Sequence, residues 1–278
     1  MTTLSTDTGG IALALGGGAA LGWAHIGVLR VLAEAGVVVG AVAGTSIGAL
    51  AGVCLAAGRL EVLEEIARGA TRARILSYLG PDWRRGAFLG GRRIARELAE
   101  HLGATTTFAD LAIPCATVAA DLDTAGEVRL SSGTVIDAVQ ASIALPGLFR
   151  PVRREGRVLI DGGMVANVPI GAARALAPQL PVIAVDLMAD YAGHVRAGGW
   201  DRRERRATAT LRSAFLMMMV RQGQLTAALD PPAVLIAPRV GHLSTGAFHL
   251  AEQLIAAGRA AALDALPAIR AAVVEEEG

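Results

Sequence analysis

Ser46 lies at the centre of Gly44-Thr45-Ser46-Ile47-Gly48, a Gly-x-Ser-x-Gly pattern. The apolar residues 37–43 predict a strand before it, and residues 47–57 predict a helix after it. A sharp strand-to-helix turn exposes the serine hydroxyl, and its two glycines permit the close backbone approach that the turn needs. The backbone N–H of Ile47 can then donate to an oxyanion. The pattern predicts a nucleophilic serine; the alternative is a helix that begins with Thr45 or Ser46 as its N-cap.

A second group of small residues, Gly16-Gly17-Gly18-Ala19-Ala20-Leu21-Gly22, separates a predicted strand at 11–15 from a predicted helix at 22–35. We call residues 16–22 the glycine loop. Its backbone N–H groups can converge on a phosphate or on a tetrahedral oxyanion. A dinucleotide site needs Gly-x-Gly-x-x-Gly and an acidic residue at the end of the second strand. Because the glycine spacing differs and residues 37–43 contain no carboxylate, we favour an oxyanion loop beside the serine.

A serine nucleophile needs a base, and Asp161 is a candidate because the apolar residues 158–160 predict a strand that ends on it. We expect this strand to deliver Asp161 to the same carboxyl edge of the sheet as Ser46. A carboxylate with a pKa near 3.9 is a weak base, and burial would raise that pKa. The alternative for Asp161-Gly162-Gly163 is a tight turn. The sequence alone excludes none of the five histidines as the base: His25, His101, His194, His242 and His249.

Short apolar runs alternate with longer helical patterns along the chain, which predicts α/β architecture with a mainly parallel sheet in one domain. Residues 35–58 carry no charge and are long enough to span a bilayer, but six glycines interrupt them, so we interpret them as a strand, a turn and a helix. Further strands are predicted at 113–120, 127–130, 158–160, 181–187 and 234–237, and further helices at 59–79, 92–102, 134–143, 207–229 and 248–263.

Composition narrows the class of protein. Hydrophobic residues make up 53% of the 278 residues, and the formal net charge is +1, so the overall charge does not favour nucleic-acid binding. Cys54 and Cys115 lie in apolar stretches without metal-ligand spacing, which is typical of buried thiols in a reducing compartment. Residues 1–10 contain no basic residue, so we expect a cytoplasmic protein.

Together these motifs resemble the patatin-like phospholipases, in particular the small bacterial members related to neuropathy target esterase. The resemblance rests on the order of the glycine loop, the serine pattern, the segment 141–149 and Asp161-Gly162-Gly163. It implies a three-layer α/β fold with a mainly parallel sheet flanked by helices, in a single domain at 9–270, with tails at 1–8 and 271–278.

The resemblance also implies the chemistry: a Ser46–Asp161 dyad without histidine that cleaves lipid esters through an acyl-enzyme, with no cofactor or metal. The family's oxyanion loop falls on Gly17, Gly18 and Ala19. The supporting glycines are Gly16, Gly22, Gly44, Gly48, Gly162 and Gly163. Two departures are Ala19, where the family usually has glycine, and Leu21, where it usually has a cation.

The expected substrate is a lipid ester, with peripheral contact at the inner face of the membrane. Residues 216–220 are expected either to line an acyl channel or to pack in the core. The arginines at 202–206 are expected either to contact lipid headgroups or to belong to a solvated loop. Residues 188–206 are a candidate lid. Three alternatives remain: a transacylase or thioesterase with the same dyad, a non-catalytic lipid-binding protein, and the disfavoured dinucleotide oxidoreductase.

Overall fold

The computed structural model describes residues 10–71, 90–190 and 207–275. Eight strands form one sheet: β1 (Ile11–Leu15), β2 (Val39–Thr45), β3 (Cys115–Asp121), β4 (Glu127–Leu130), β5 (Val152–Arg154), β6 (Arg157–Asp161), β7 (Val182–Val185) and β8 (Val234–Ile236). The helices are α1 (Ala24–Glu34), α2 (Ile47–Ala56), α3 (Leu60–Arg68), α4 (Gly90–Leu102), α5 (Val135–Ser142), α6 (Ile170–Leu176), α7 (Ala207–Leu229) and α8 (Ala251–Glu275).

Hydrogen-bonded neighbours follow the sequence β5-β6-β3-β2-β1-β7-β8, and β4 also pairs with β3. Strands β3, β2, β1, β7 and β8 run parallel, whereas β4 and β6 are antiparallel to β3. The expected α/β fold with a mainly parallel sheet is confirmed.

Side chains alternate between the two faces of β1, as the pleat of a strand requires. Ile11, Leu13 and Leu15 face a core shared with α1, α2 and α8. Ala12 and Ala14 face a second core shared with α6. Helices therefore cover both faces of the sheet, which gives the expected three layers and buries the carboxyl ends of its central strands.

Strands β2 and β6 lie in line along one edge of β3. Strand β4 pairs with Thr117, Val118, Ala119 and Ala120 of β3 and so occupies the opposite edge along all four residues. On the remaining edge, β2 reaches Val118 through Thr45, and β6 begins its pairing at Ala119 through Asp161. Asp161 therefore reaches the carboxyl end of β2 as expected, but from an antiparallel strand that approaches from the opposite direction.

The observed elements differ from the predicted ones where tertiary contacts outweigh local patterns. The sequence did not predict strand β5 or helix α6. Strand β5 is three residues long with two arginines, and it gains its hydrogen bonds from β6. Helix α8 passes Pro267 to Glu275, so it includes residues 271–275 of the expected C-terminal tail; burial of Ile269 anchors it beyond the proline. The single-domain interpretation stays a prediction, and the predicted helical residues 72–79 lie outside the described residues.

Candidate active site

The predicted strand-to-helix turn is present at Ser46. Strand β2 ends at Thr45, helix α2 begins at Ile47, and Ser46 itself has φ 57° and ψ −122°. A non-glycine residue in this region is strained, and such strain persists only where the surrounding structure holds it. A Cβ at Gly44 would overlap the carbonyl of Gly48, so the turn leaves no room for a side chain there.

The Ser46 hydroxyl donates a hydrogen bond to Asp161, with 2.7 Å between Oγ and Oδ2. Ser46 occupies the N-cap position of α2 but makes no side-chain capping bond, and the Thr45 hydroxyl donates to the carbonyl of Ala166 at 2.7 Å. The N-cap interpretation therefore holds for the position of Ser46 but not for its hydroxyl, which bonds Asp161. Ser46 and Asp161 are brought together across 115 residues of sequence.

Asp161 is buried, with 2% of its surface exposed. Its other oxygen, Oδ1, accepts the backbone N–H of Gly163 at 2.8 Å, so Asp161 also begins the tight turn that was the alternative interpretation. Burial raises the pKa of Asp161 to about 6, although the hydrogen bonds from Ser46 and Gly163 act in the opposite direction. A carboxylate with this pKa is a better proton acceptor than an exposed one and is still ionised at neutral pH.

Ser142, at the end of α5, holds the serine turn. Its Oγ accepts the backbone N–H of Ser46 at 2.9 Å and donates to the carbonyl of Val118 at 2.6 Å. The Ser142 hydroxyl thus links the backbone N–H of the strained turn to the carbonyl of Val118 on β3. Although segment 141–149 forms part of the resemblance, nothing in its local pattern assigns this role to Ser142.

The glycine loop supplies fewer oxyanion donors than expected. The N–H of Gly17 donates to the carbonyl of Asn167 at 2.9 Å, so Gly17 is not an available donor. Within the described part of the chain, no acceptor takes the N–H groups of Gly18, Ala19 and Ile47. Gly17 instead provides room, because a Cβ there would lie 3.4 Å from Cβ of Ser46 and 2.8 Å from Oδ1 of Asn167.

The remaining supporting glycines are all close-contact positions. A Cβ at Gly16, Gly22, Gly48 or Gly162 would meet, respectively, the carbonyl of Val185, the side chain of Ile47, the carbonyl of Leu15 and the carbonyl of Val118. A Cβ at Gly163 would lie 3.1 Å from both Oδ1 of Asp161 and Cε of Met219. Together with Gly44, these five glycines let the glycine loop, the serine turn and the Asp161 turn pack closely against one another and against the neighbouring strands.

Histidine is not a partner of Ser46 in the described residues. His25 is fully buried, and its Nε2–H donates to the carbonyl of Gly16 at 2.8 Å. Burial lowers the pKa of His25 to about 4, so the ring is neutral and braces the glycine loop. His242 and His249 are exposed, His101 lies 3.9 Å from Glu65, and His194 falls outside the described residues.

A small, open apolar cleft adjoins the glycine loop. Gly18 packs against two of its lining residues, Leu21 and Leu187, and Leu216 of α7 also lines it. The complete lining is Leu21, Leu187, Met188, Asp190, Leu216, Gly241, Leu243 and Thr245. The apolar residue Leu21, one of the two departures, therefore forms part of the cleft wall.

Residues 216–220 follow the two predicted roles only in part, because two of the five are exposed. Leu216 lines the cleft, Met219 is buried beside Gly163, and Met217 and Met218 are 53% and 45% exposed. Most of the candidate lid, residues 191–206, lies outside the described residues. In the described part of the chain, no cluster of His, Cys, Asp and Glu could hold a metal ion, and no helix is long and apolar enough to cross a membrane.

The patatin-like phospholipase family profile matches residues 13–174, which is more than half of the chain and includes both Ser46 and Asp161. The chain belongs to the patatin-like phospholipase family. An NTE family protein of Mycobacterium bovis is 35% identical over 207 residues, which cover 72% of this chain and 57% of that protein. The mouse patatin-like phospholipase domain-containing protein 6 is 35% identical over 189 residues, or 64% of this chain and 13% of that protein.

The chain thus spans a little over half the length of the mycobacterial relative. Among solved structures, VipD from Legionella pneumophila aligns with 89% of this chain and 67% of its own, at 14% identity and a TM-score of 0.47.

Proposed function

We propose that this protein is a serine-dependent lipid acyl hydrolase that uses Ser46 as nucleophile and Asp161 as base. The observation that carries the proposal is the 2.7 Å hydrogen bond from the Ser46 hydroxyl to the buried Asp161 carboxylate. A nucleophile and base within hydrogen-bond reach, with the base oriented by a third group, form the arrangement that activates a serine. Here the third group is the N–H of Gly163.

In the first half-reaction, Ser46 Oγ attacks the ester carbonyl while its proton passes to Asp161. The oxyanion that forms accepts hydrogen bonds from backbone N–H groups, for which Gly18, Ala19 and Ile47 are the candidates. The C–O bond to the leaving alcohol then breaks, and Asp161 returns the proton to that alcohol. The product is a Ser46 acyl ester.

In the second half-reaction, Asp161 accepts a proton from water as the water oxygen attacks the acyl ester. Collapse of the second oxyanion releases the carboxylic acid and returns the proton to Ser46. An alcohol or thiol acceptor in place of water would make the same dyad a transacylase, and a thioester in place of the ester would make it a thioesterase.

The apolar cleft supports a lipid substrate. Four of its eight lining residues are leucines, and two of these, Leu21 and Leu187, adjoin Gly18, a candidate oxyanion donor. A hydrocarbon chain placed there removes apolar surface from water on both sides, which is favourable by roughly 25 cal/mol per Å². A cytoplasmic location with peripheral contact at the inner membrane face stays a prediction from the sequence.

The test is hydrolysis of p-nitrophenyl esters of graded acyl length, followed by phospholipid and lysophospholipid vesicles. Ser46→Ala and Asp161→Asn should each lower kcat/KM by at least about 10³-fold, since removal of one member disables the unit. The control is His25→Gln, whose amide can still donate to Gly16; it should keep at least about a tenth of the activity. An inactive wild type would favour a non-catalytic lipid-binding protein, whereas an active Ser46→Ala variant would exclude Ser46 as the nucleophile.

A further inference from the structure

Gln222 of α7 joins the helix to the segment that follows Asp161. Its side-chain oxygen accepts the backbone N–H of Asn167 at 2.7 Å, and its side-chain nitrogen donates to the carbonyl of Val165 at 2.6 Å. The same nitrogen donates to the Thr226 hydroxyl at 2.9 Å. The amide of one half-buried side chain therefore uses both its acceptor and its donors to hold two peptide groups of residues 165–167.

The segment held by Gln222 in turn holds the glycine loop. The carbonyl of Asn167 accepts the N–H of Gly17 at 2.9 Å, and a Cβ at Gly17 would meet the Asn167 side chain. At its other end, the segment begins with Asp161 and Gly163. Residues 161–167 thus connect the proposed base to the proposed oxyanion loop, and α7 is fastened to this connection by Gln222.

We propose that Gln222 is a positioning residue that keeps Asp161 and the glycine loop in register; this inference rests on the proposed function. No part of Gln222 needs to touch substrate for this role. A shift of about 1 Å in a reacting group can cost about 10²-fold in rate. Because the oxyanion is present only in the transition state, misalignment of the loop should lower kcat while leaving KM nearly unchanged.

The first variant is Gln222→Met, which keeps the length of the side chain and removes its hydrogen bonds to Val165, Asn167 and Thr226. We expect kcat for a short-chain p-nitrophenyl ester to fall about 10- to 100-fold per folded enzyme, with KM within about twofold. The matched control is Gln224→Met on the exposed side of the same helix, which should keep the wild-type kcat. An unchanged kcat in Gln222→Met, or a change confined to KM, would overturn the proposal.

A second variant, Gln222→Glu, separates positioning from simple stabilisation. When protonated, the introduced carboxyl can donate to Val165 and accept from Asn167 as the glutamine does; when ionised, it can no longer donate. The ratio of variant to wild-type kcat should therefore rise as the pH is lowered from 8 to 5. A ratio that does not change with pH contradicts the role.

Amide hydrogen exchange gives a readout that does not depend on catalysis. In Gln222→Met, exchange at Asn167 and Gly17 should be at least about tenfold faster, because the first loses its acceptor and the second is held by the same segment. If the wild type hydrolyses no ester but exchange is faster in Gln222→Met, the proposed function fails and the positioning role of Gln222 is retained. If the wild type is active and exchange in Gln222→Met is unchanged, only the positioning role fails.

Discussion

Thr45 and Asp161 pair with consecutive residues of β3, Val118 and Ala119, along the same edge of that strand. Strands β2 and β6 therefore point at each other, and the residue after Thr45 meets the last residue of β6. The 2.7 Å contact between Ser46 Oγ and Asp161 Oδ2 follows from this arrangement. Because the sheet fixes both ends through backbone hydrogen bonds, the proposed dyad is preorganised before any substrate binds.

The pH dependence of activity should follow Asp161. Its pKa is raised to about 6 by burial, and only the ionised form can accept the serine proton. We expect kcat/KM for a neutral ester to rise about tenfold per pH unit below pH 6 and to level off above it. Circular dichroism at each pH provides the control for folding. A profile that stays flat down to pH 4 contradicts this assignment.

Loss of the charge on Asp161 should lower activity but raise the free energy of unfolding. A folded-state pKa of about 6 against an ordinary 3.8 means that the folded protein disfavours the ionised form. The stability associated with the protonated carboxyl is fully present below pH 3.8 and is lost as the pH rises through 6. Asp161→Asn should therefore raise the free energy of unfolding at pH 8 by up to about 3 kcal/mol, and by little at pH 4.

Urea unfolding of both proteins at the two pH values measures this difference. Asp123→Asn, at an exposed aspartate, is the control and should leave the free energy of unfolding at pH 8 nearly unchanged. A destabilised Asp161→Asn variant at pH 8 would mean that the ionised carboxylate stabilises the folded state instead of destabilising it.

Ser142→Ala should weaken both catalysis and folding. The change leaves the N–H of Ser46 and the carbonyl of Val118 without their partner, at a cost of about 1–3 kcal/mol in unfolding free energy. Release of the strained turn should also lower kcat/KM about 10- to 100-fold.

A matched control exists in Thr117, which is buried on β3 and whose hydroxyl has no hydrogen-bond partner among the described residues. Thr117→Val removes a buried hydroxyl of the same kind without breaking a bond, so it should be neutral or slightly stabilising. Ester hydrolysis and urea unfolding of the two variants test the difference. Equal losses of activity in both would show that Ser142 has no special role.

Leu216→Trp should change which acyl chains are accepted. Leu216 lines the cleft, so a larger side chain fills space that a long acyl chain would occupy. We expect kcat/KM for long-chain p-nitrophenyl esters to fall at least about tenfold relative to the acetate, which reaches Ser46 without filling the cleft. Met217→Trp is the control, since Met217 is 53% exposed on the same helix. An unaltered chain-length profile in Leu216→Trp would remove the cleft from the substrate path.

The sequence by itself determined the features that depend on neighbouring residues. Apolar runs on either side of Ser46 predicted the strand, the turn and the helix, since the strained turn needs small residues within two positions of the serine. The apolar run ending on Asp161 likewise predicted a buried carboxylate.

Tertiary structure decided the features that depend on distant pairing. The antiparallel direction of β6, the bond from Ser46 to Ser142 across 96 residues, and the bond from Asn167 to Gln222 across 55 residues have no local pattern. The hydrogen bond from the Gly17 N–H to the carbonyl of Asn167 also joins distant residues, and it leaves Gly17 unavailable as an oxyanion donor. Local propensity specifies whether a peptide is strand or turn, whereas the partner of each buried polar group is chosen only when the chain packs.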